Sequence, residues 1–212
     1  MNEQVEPIFA PEIGLGDNWY ALNAYMRMPV ARVEVSRWSK AEQGRVDVGR
    51  RLREILALLN GPIDKVVVTD ALPTYRKADW WTWDVEYFPT WIQWAPNRSG
   101  RLAYQFDGRS SAAGKNPSTS ESERLLTSLS GYELVRLGDH LSLQRCVELL
   151  ASCEALVCVC SGLSHVCHSV GTPLFLLEYS QGVERFRVGK RYFRCVGTDA
   201  AITAVRAFMG RS

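Results

Sequence analysis

Residues 155–177 constrain the fold of this chain more than any other segment. Residues 155–160 (ALVCVC) and 173–177 (PLFLL) are short apolar runs, typical of parallel strands that are buried on both faces. Between them, Ser161 and Gly162 are typical of a tight turn that begins a helix. Open α/β sheets bind ligands beyond the carboxyl ends of their strands, where a helix N-terminus presents N–H groups to a phosphate. We therefore predict a ligand site at Ser161 and Gly162.

The rest of the chain alternates between strand and helix patterns with short connections. Strands are predicted at residues 7–11, 30–36, 65–69, 101–106 and 132–137, and helices at 19–28, 40–59, 121–129 and 142–151, the last capped by Ser142. This alternation is typical of parallel sheets. We predict an α/β protein with two Rossmann-like halves facing across a cleft, an acceptor-side domain at residues 1–97 and a donor domain at residues 98–212.

Composition excludes several classes of protein. The chain has 212 residues, of which 46% are hydrophobic and 23% charged, an ordinary globular balance. Its apolar runs are shorter than the roughly 18 to 20 residues that span a bilayer, and its first residues are acidic, unlike a secretory signal. We therefore expect a cytoplasmic protein without a membrane span. Its six cysteines are expected to be buried free thiols.

Two other segments have alternative interpretations. Basic residues are concentrated in residues 27–53, although the net charge is only +2. They fit either a phosphate-tracking face or a solvated helix surface with intervening acidic partners. Residues 80–94 contain tryptophans, among them Trp80, Trp81 and Trp83, whose rings either fill a domain interface or stack on sugars or nucleobases. The second interpretation leaves open a flipped, hydroxymethylated DNA base as the acceptor.

Two motifs resemble those of a known enzyme family. Residues 14–22 (GLGDNWYAL) resemble the amino-terminal glycine loop of heptosyltransferase-type glycosyltransferases, and residues 161–165 (SGLSH) with 171–173 (GTP) resemble their donor-site motif. The resemblance implies the GT-B architecture and sugar transfer from a nucleotide diphosphate donor, with inversion and without a metal or other cofactor. Cys160 stands where the family usually has an acidic residue.

The resemblance, together with the polar loop after residue 106 and the tryptophans, suggests roles for individual residues. Asp17 matches the catalytic base of the family, although a helix-capping role is the alternative. Donor contacts are expected from Gly16, Arg109, Ser110, Lys115, Ser161, Gly162, Ser164 and His165, and acceptor contacts from Asn18, Trp80, Trp81 and Trp83. The alternative for the loop with Lys115 is a mobile surface loop, and the alternative for His165 is a structural histidine. The partners are a nucleotide sugar donor and an unidentified acceptor, either a glycan or modified DNA.

The residues leave two other classes of function open and disfavour a metal site. The chain fits a catalytically silent nucleotide- or nucleic-acid-binding module, with the arginines and tryptophans as its surface. It also fits a sugar-nucleotide epimerase or hydrolase. A zinc site at Cys158, Cys160, His165, Cys167 and His168 is disfavoured, because these positions do not converge in a strand-turn-helix segment.

Overall fold

The protein is described from a computed structural model. The described residues are 8–9, 15, 18–19, 22–23, 33–36, 48–61, 66–69, 87–96, 100–108, 116–179 and 192–210. The chain divides into two compact units, Met1–Trp91 and Ile92–Ser212. The sequence-based boundary between residues 97 and 98 lies a few residues further along the chain.

The amino-terminal unit contains a parallel sheet. Among its described residues, strands β1 (Ile8–Phe9), β2 (Val33–Ser36) and β3 (Val66–Thr69) pair in the order β1-β2-β3. Helix α1 (Val48–Leu58) precedes β3 and packs against it. Its buried residues Leu52, Ile55 and Leu56 recur at helical spacing and form one apolar face, which Leu59, just after the helix, extends. The predicted β-α alternation is therefore present in this unit.

The glycine-loop region contributes buried residues to the same unit. Helical residues are described at 15, 18–19 and 22–23, which overlaps the start of the predicted helix. Trp19 and Leu22 are almost completely buried. The Asn23 side chain donates to the Trp19 carbonyl oxygen at 2.8 Å and accepts from the Phe88 N–H at 2.5 Å. This buried amide fixes the segment before the unit boundary to the helix.

The carboxyl-terminal unit contains a larger parallel sheet with helices between its strands. Its described strands pair in the order β5-β4-β6-β7-β8, and every pairing is parallel. The strands are β4 (Arg101–Gln105), β5 (Glu133–Arg136), β6 (Ala155–Val159), β7 (Leu174–Glu178) and β8 (Tyr192–Val196). The helices are α2 (Thr119–Ser128), α3 (Leu143–Ser152), α4 (Gly162–Val170) and α5 (Thr198–Met209). Every strand and helix predicted from residue 101 onward is present, and β8 and α5 are additional.

The central strands are buried on both faces, as their apolar sequences predict. All residues of β6 and β7 are buried. Alternate residues point to opposite faces, and one face, with Val157 and Phe175, packs on Leu125 of α2 and Val205 of α5. Helices α3 and α4 pack on each other, and α4 also packs on β6 and β7. Helices therefore cover both faces of this sheet, as in doubly wound folds.

Two helix starts in this unit follow sequence rules. Ser142 is the N-cap of α3, as predicted, and its Oγ accepts from the Arg145 N–H at 3.2 Å. Ser118 begins α2 in a capping box, in which Ser118 Oγ accepts from the Glu121 N–H and the Glu121 carboxylate accepts from the Ser118 N–H. Within the described part of the chain, no helix is both long and apolar enough to cross a bilayer. The cytoplasmic location stays a prediction.

Candidate functional site

The strand order of the larger sheet creates a crevice between β4 and β6. The chain passes from β4 through α2 to β5 on one side, and then returns past β4 to β6 on the other side. The connections that leave β4 and β6 at their carboxyl ends therefore run in opposite directions. This leaves a crevice beyond the carboxyl ends of these two strands. Gln105 ends β4, and Cys160 and Ser161 follow β6 directly. The predicted ligand turn thus lies at the topological switch point.

The turn itself is built by two serines. Ser161 is the N-cap of α4, with an extended backbone (φ −148°, ψ 177°). The Ser164 hydroxyl donates to the Ser161 carbonyl oxygen at 2.6 Å and accepts from the Ser161 N–H at 3.4 Å. Ser164 is completely buried, so its side chain shapes the turn from within. Helix α4 ends at Gly171, whose φ of +88° suits glycine.

Gln105 spans the crevice, and its role was not apparent from the sequence. The Ser161 hydroxyl donates to Gln105 Oε1, and Gln105 Nε2 donates to the Asp107 carbonyl oxygen at 3.3 Å. Both side chains are partly exposed. The hydrogen bond between them joins the carboxyl ends of β4 and β6. The only hint in the sequence was that Gln105 is a polar residue near the end of a predicted strand.

The loop after β4 is closed at its base by one asparagine. Asn116 Oδ1 accepts from the Gly108 N–H at 2.9 Å, and Asn116 Nδ2 donates to the Gly108 carbonyl oxygen at 3.2 Å. The predicted donor residues Arg109, Ser110 and Lys115 lie between these two positions and outside the described residues. The two reciprocal hydrogen bonds bring the ends of this loop together at the sheet edge that carries Gln105.

Cys160 occupies the position at which the resemblance leads us to expect an acidic residue. Cys160 is buried at the end of β6. At the same edge of the sheet, Glu178 ends β7; its carboxylate is also buried and accepts from Arg194 Nε at 2.5 Å. The charge of this carboxylate is thus compensated by a guanidinium on β8. The sequence analysis did not identify this ion pair, because it depends on the pairing of β7 with β8.

The cysteines are structural. All six are buried free thiols, as predicted. Burial raises the pKa of Cys153 and of Cys195 to about 11, and it also raises the pKa of Cys167. Thiols of this kind are poor nucleophiles near neutral pH. Across the described ranges, which include Cys158, His165 and His168, no cluster of three or more potential metal ligands occurs.

The two histidines of α4 lie in different turns of the helix. His165 is in the first turn, near the predicted ligand turn, and is partly exposed. His168 is in the last turn, and burial lowers its pKa from 6.5 to about 4. The residue as a whole is partly exposed, but its Nε2 atom is buried, and an imidazole with this pKa is neutral at physiological pH and adds no positive charge to the crevice.

The pKa of His168 predicts acid sensitivity of the fold. Between pH 6.5 and about 4 the unfolded chain binds a proton that the folded protein does not bind. The free energy of unfolding should therefore fall as the pH decreases through this window, by up to roughly 3 kcal/mol. Urea unfolding of the parent and of His168→Gln at several pH values measures this, and the variant should lose most of the slope. Parallel pH profiles for the two proteins would contradict the prediction.

The amino-terminal site residues are described only in part. Asn18 is completely buried in the helical segment. Gly16, Asp17, Trp80, Trp81 and Trp83 lie outside the described residues. The assignment of Asp17 as base and of these residues as acceptor contacts therefore stays a prediction.

Two tryptophans from the end of the aromatic segment are described. Trp91 is 54% exposed and Trp94 is 39% exposed. Trp94 donates from its backbone N–H to the Val170 carbonyl oxygen and from its indole to the Cys153 carbonyl oxygen, both at 2.9 Å. These bonds reach the last residue of α4 and the C-cap of α3. Trp94 thus has a structural role within the carboxyl-terminal unit.

The match to a protein family concerns the same part of the chain. Residues 111–179 match Glycosyltransferase family 9 (heptosyltransferase). This segment includes the Ser161 turn and begins in the loop that follows β4. No curated protein sequence matches the chain significantly.

Two solved structures are similar to this chain. E. coli ADP-heptose LPS heptosyltransferase II has a TM-score of 0.53 and 14% identity, and the alignment covers 97% of this chain and 98% of that one. E. coli heptosyltransferase WaaC with ADP-2-deoxy-2-fluoro heptose has a TM-score of 0.40 and 14% identity, covering 97% and 71%. The predicted resemblance is therefore confirmed: residues 111–179 are similar in sequence to glycosyltransferase family 9, and the α/β fold is similar to that of E. coli ADP-heptose LPS heptosyltransferase II. The family match supports a glycosyltransferase enzyme.

Proposed function

We propose that the protein transfers a sugar from a nucleoside diphosphate donor to an acceptor hydroxyl, with inversion and without a metal. The observation that carries this proposal is the position of the Ser161 turn, which lies at the switch point of the larger sheet and within the segment that matches family 9. Fold alone would not support an activity. Here a site with polar side chains coincides with the family segment.

The donor diphosphate would bind along the carboxyl edge of β4 and β6. Backbone N–H groups in the first turn of α4 favour a phosphate there. The loop held closed by Asn116 carries Arg109, Ser110 and Lys115, and we propose that these residues compensate the charge of the departing diphosphate. Because two cationic side chains and the helix start supply this compensation, the reaction needs no metal ion.

The transfer step would be a single displacement. The acceptor oxygen forms a bond to the anomeric carbon, while the bond from this carbon to the diphosphate oxygen breaks and its electron pair leaves with the nucleotide. We propose that Asp17 takes the acceptor proton and faces the positive charge that develops at the anomeric carbon. This requires the amino-terminal unit to place Asp17 across a cleft from the Ser161 turn, as in the GT-B arrangement. A glycan hydroxyl is the proposed acceptor, since the similar E. coli enzyme is named for LPS.

Nucleotide binding tests this function. We expect one class among ADP, UDP, GDP and their sugar conjugates to bind in the presence of EDTA, measured by calorimetry, with little change when Mg²⁺ is added. Ser161→Trp should weaken this binding by at least about tenfold, because the indole fills the turn. Ser130→Trp is the matched control, since Ser130 is exposed in the turn between α2 and β5, at the amino ends of the strands and away from the Ser161 turn. It should leave the affinity unchanged.

The other outcomes identify other functions. Absence of binding across the whole panel would overturn the transferase proposal. Binding without release of nucleoside diphosphate from any nucleotide sugar, with any glycan acceptor, would favour a catalytically silent module. Release at the same rate without an acceptor would favour a hydrolase.

A further inference from the structure

The hydrogen bond between Ser161 and Gln105 determines what the Ser161 hydroxyl can offer a ligand. A serine hydroxyl has one proton to donate and two lone pairs to accept. The Ser161 proton is directed to Gln105 Oε1. With this proton engaged, the hydroxyl cannot donate to a ligand, but its oxygen can still accept a hydrogen bond.

The orientation of the Gln105 amide supports this assignment. Its Nε2 donates to the Asp107 carbonyl oxygen at 3.3 Å, which an amide rotated by 180° would not do. Oε1, which can only accept, is therefore the atom that faces Ser161. Asp107 is the second residue after β4, so a backbone carbonyl next to the end of the strand fixes this orientation.

A phosphate is a poor partner for a hydroxyl in this state. Ionised phosphate oxygens only accept hydrogen bonds, whereas ribose and sugar hydroxyls also donate them. We infer that Gln105 is a positioning residue, which holds the Ser161 hydroxyl as an acceptor for a hydroxyl group of the bound nucleotide sugar. This inference rests on the proposed function and specifies it: the Ser161 side chain recognises a hydroxyl, and the phosphates are left to backbone N–H groups and to the loop after β4.

Ligands that lack single hydroxyl groups test this inference. In the first arm, ADP, UDP and GDP are compared with their 2′-deoxy and 3′-deoxy counterparts. In the second arm, nucleotide sugars are compared with their deoxy-sugar forms. Removal of one of these hydroxyl groups should weaken binding to the parent protein by about fivefold, which corresponds to the loss of one neutral hydrogen bond. The arm in which the penalty occurs tells whether the hydroxyl belongs to the ribose or to the transferred sugar.

Three variants separate positioning from a general structural effect. Gln105→Leu removes the acceptor that fixes the orientation of the Ser161 hydroxyl, so the deoxy penalty should fall clearly below its value in the parent. Ser161→Ala removes the accepting oxygen itself and should abolish the penalty. Gln105→Glu is the matched control, because a carboxylate still accepts from Ser161. It should keep the penalty even where its charge weakens all nucleotide binding. Thermal unfolding of each variant verifies that it is folded.

The outcomes distinguish this inference from the function on which it rests. If the parent binds no nucleotide or nucleotide sugar, the proposed function fails and the inference fails with it. If the parent binds but shows no deoxy penalty, or shows the same penalty in Gln105→Leu, the inference alone is overturned. A penalty in the parent and in Gln105→Glu that is reduced in Gln105→Leu and lost in Ser161→Ala supports it.

Discussion

Replacement of Asp17 by asparagine is expected to lower turnover by about 10²- to 10⁴-fold, the usual contribution of a general base. The amide has the same shape as the carboxylate but cannot take the acceptor proton. Donor affinity should change little, because the proposed donor contacts other than Gly16 belong to the carboxyl-terminal unit. Release of nucleoside diphosphate measures turnover, and calorimetry with the donor measures affinity.

This substitution also separates catalysis from helix capping. Asparagine is as good an N-cap as aspartate, so the stability of the protein should be unchanged in Asp17→Asn if the residue only caps a helix. Asp199→Asn provides a matched control, because Asp199 is an exposed residue of α5 that pairs with Arg124, and exposed pairs contribute little to stability. Full turnover in Asp17→Asn would remove Asp17 from the proposed mechanism.

The larger sheet was predictable where each element carries its own signal. The runs that became β6 and β7 are apolar at nearly every position, and central parallel strands with helices on both faces require this. Ser142 precedes a stretch with helical spacing, and it caps α3. These signals are local, so a single sequence contains them.

Strand β8 lacks such a signal for a physical reason. It lies at the end of the described strand order, and four of its five residues are exposed, including Tyr192 and Arg194. A strand of this kind does not need a continuous apolar run. Helix α5 begins after Gly197 without a side-chain cap. Both elements therefore depend on pairing with β7 and on packing against the core.

The candidate site was predictable only in outline. The Ser161 turn follows from the strand-turn-helix pattern, but the partnership with Gln105 requires β4 to lie beside β6, and strand order is not a local property of the sequence. The place of Ser164 in the motif predicts a donor contact, which stays a prediction; what the structure adds is that its buried hydroxyl bonds the Ser161 backbone and shapes the turn. Spacing alone cannot distinguish a side chain that faces the ligand from one that shapes the loop.

Phe175→Ala is expected to have the largest effect on stability. Phe175 is a completely buried residue of β7, and its ring contacts those of Phe193 of β8 and Phe208 of α5. Its ring centroid lies 4.7 Å from that of Phe193, with nearly parallel planes, and 5.5 Å from that of Phe208. Truncation leaves a cavity that these neighbours cannot fill, so the free energy of unfolding should fall by about 3 to 5 kcal/mol.

Phe193→Ala is the matched control for this prediction, because it removes the other ring of the same stack. Phe193 is 49% exposed, so its truncation opens no closed cavity and should lower the free energy of unfolding by only about 1 kcal/mol. Urea unfolding of both variants measures the difference. Equal losses would mean that the stack, and not burial in the core, supplies the stability at this position. A much larger loss for Phe175→Ala would place the stabilising core of the unit between β7, α2 and α5, directly beneath the sheet that carries the Ser161 turn.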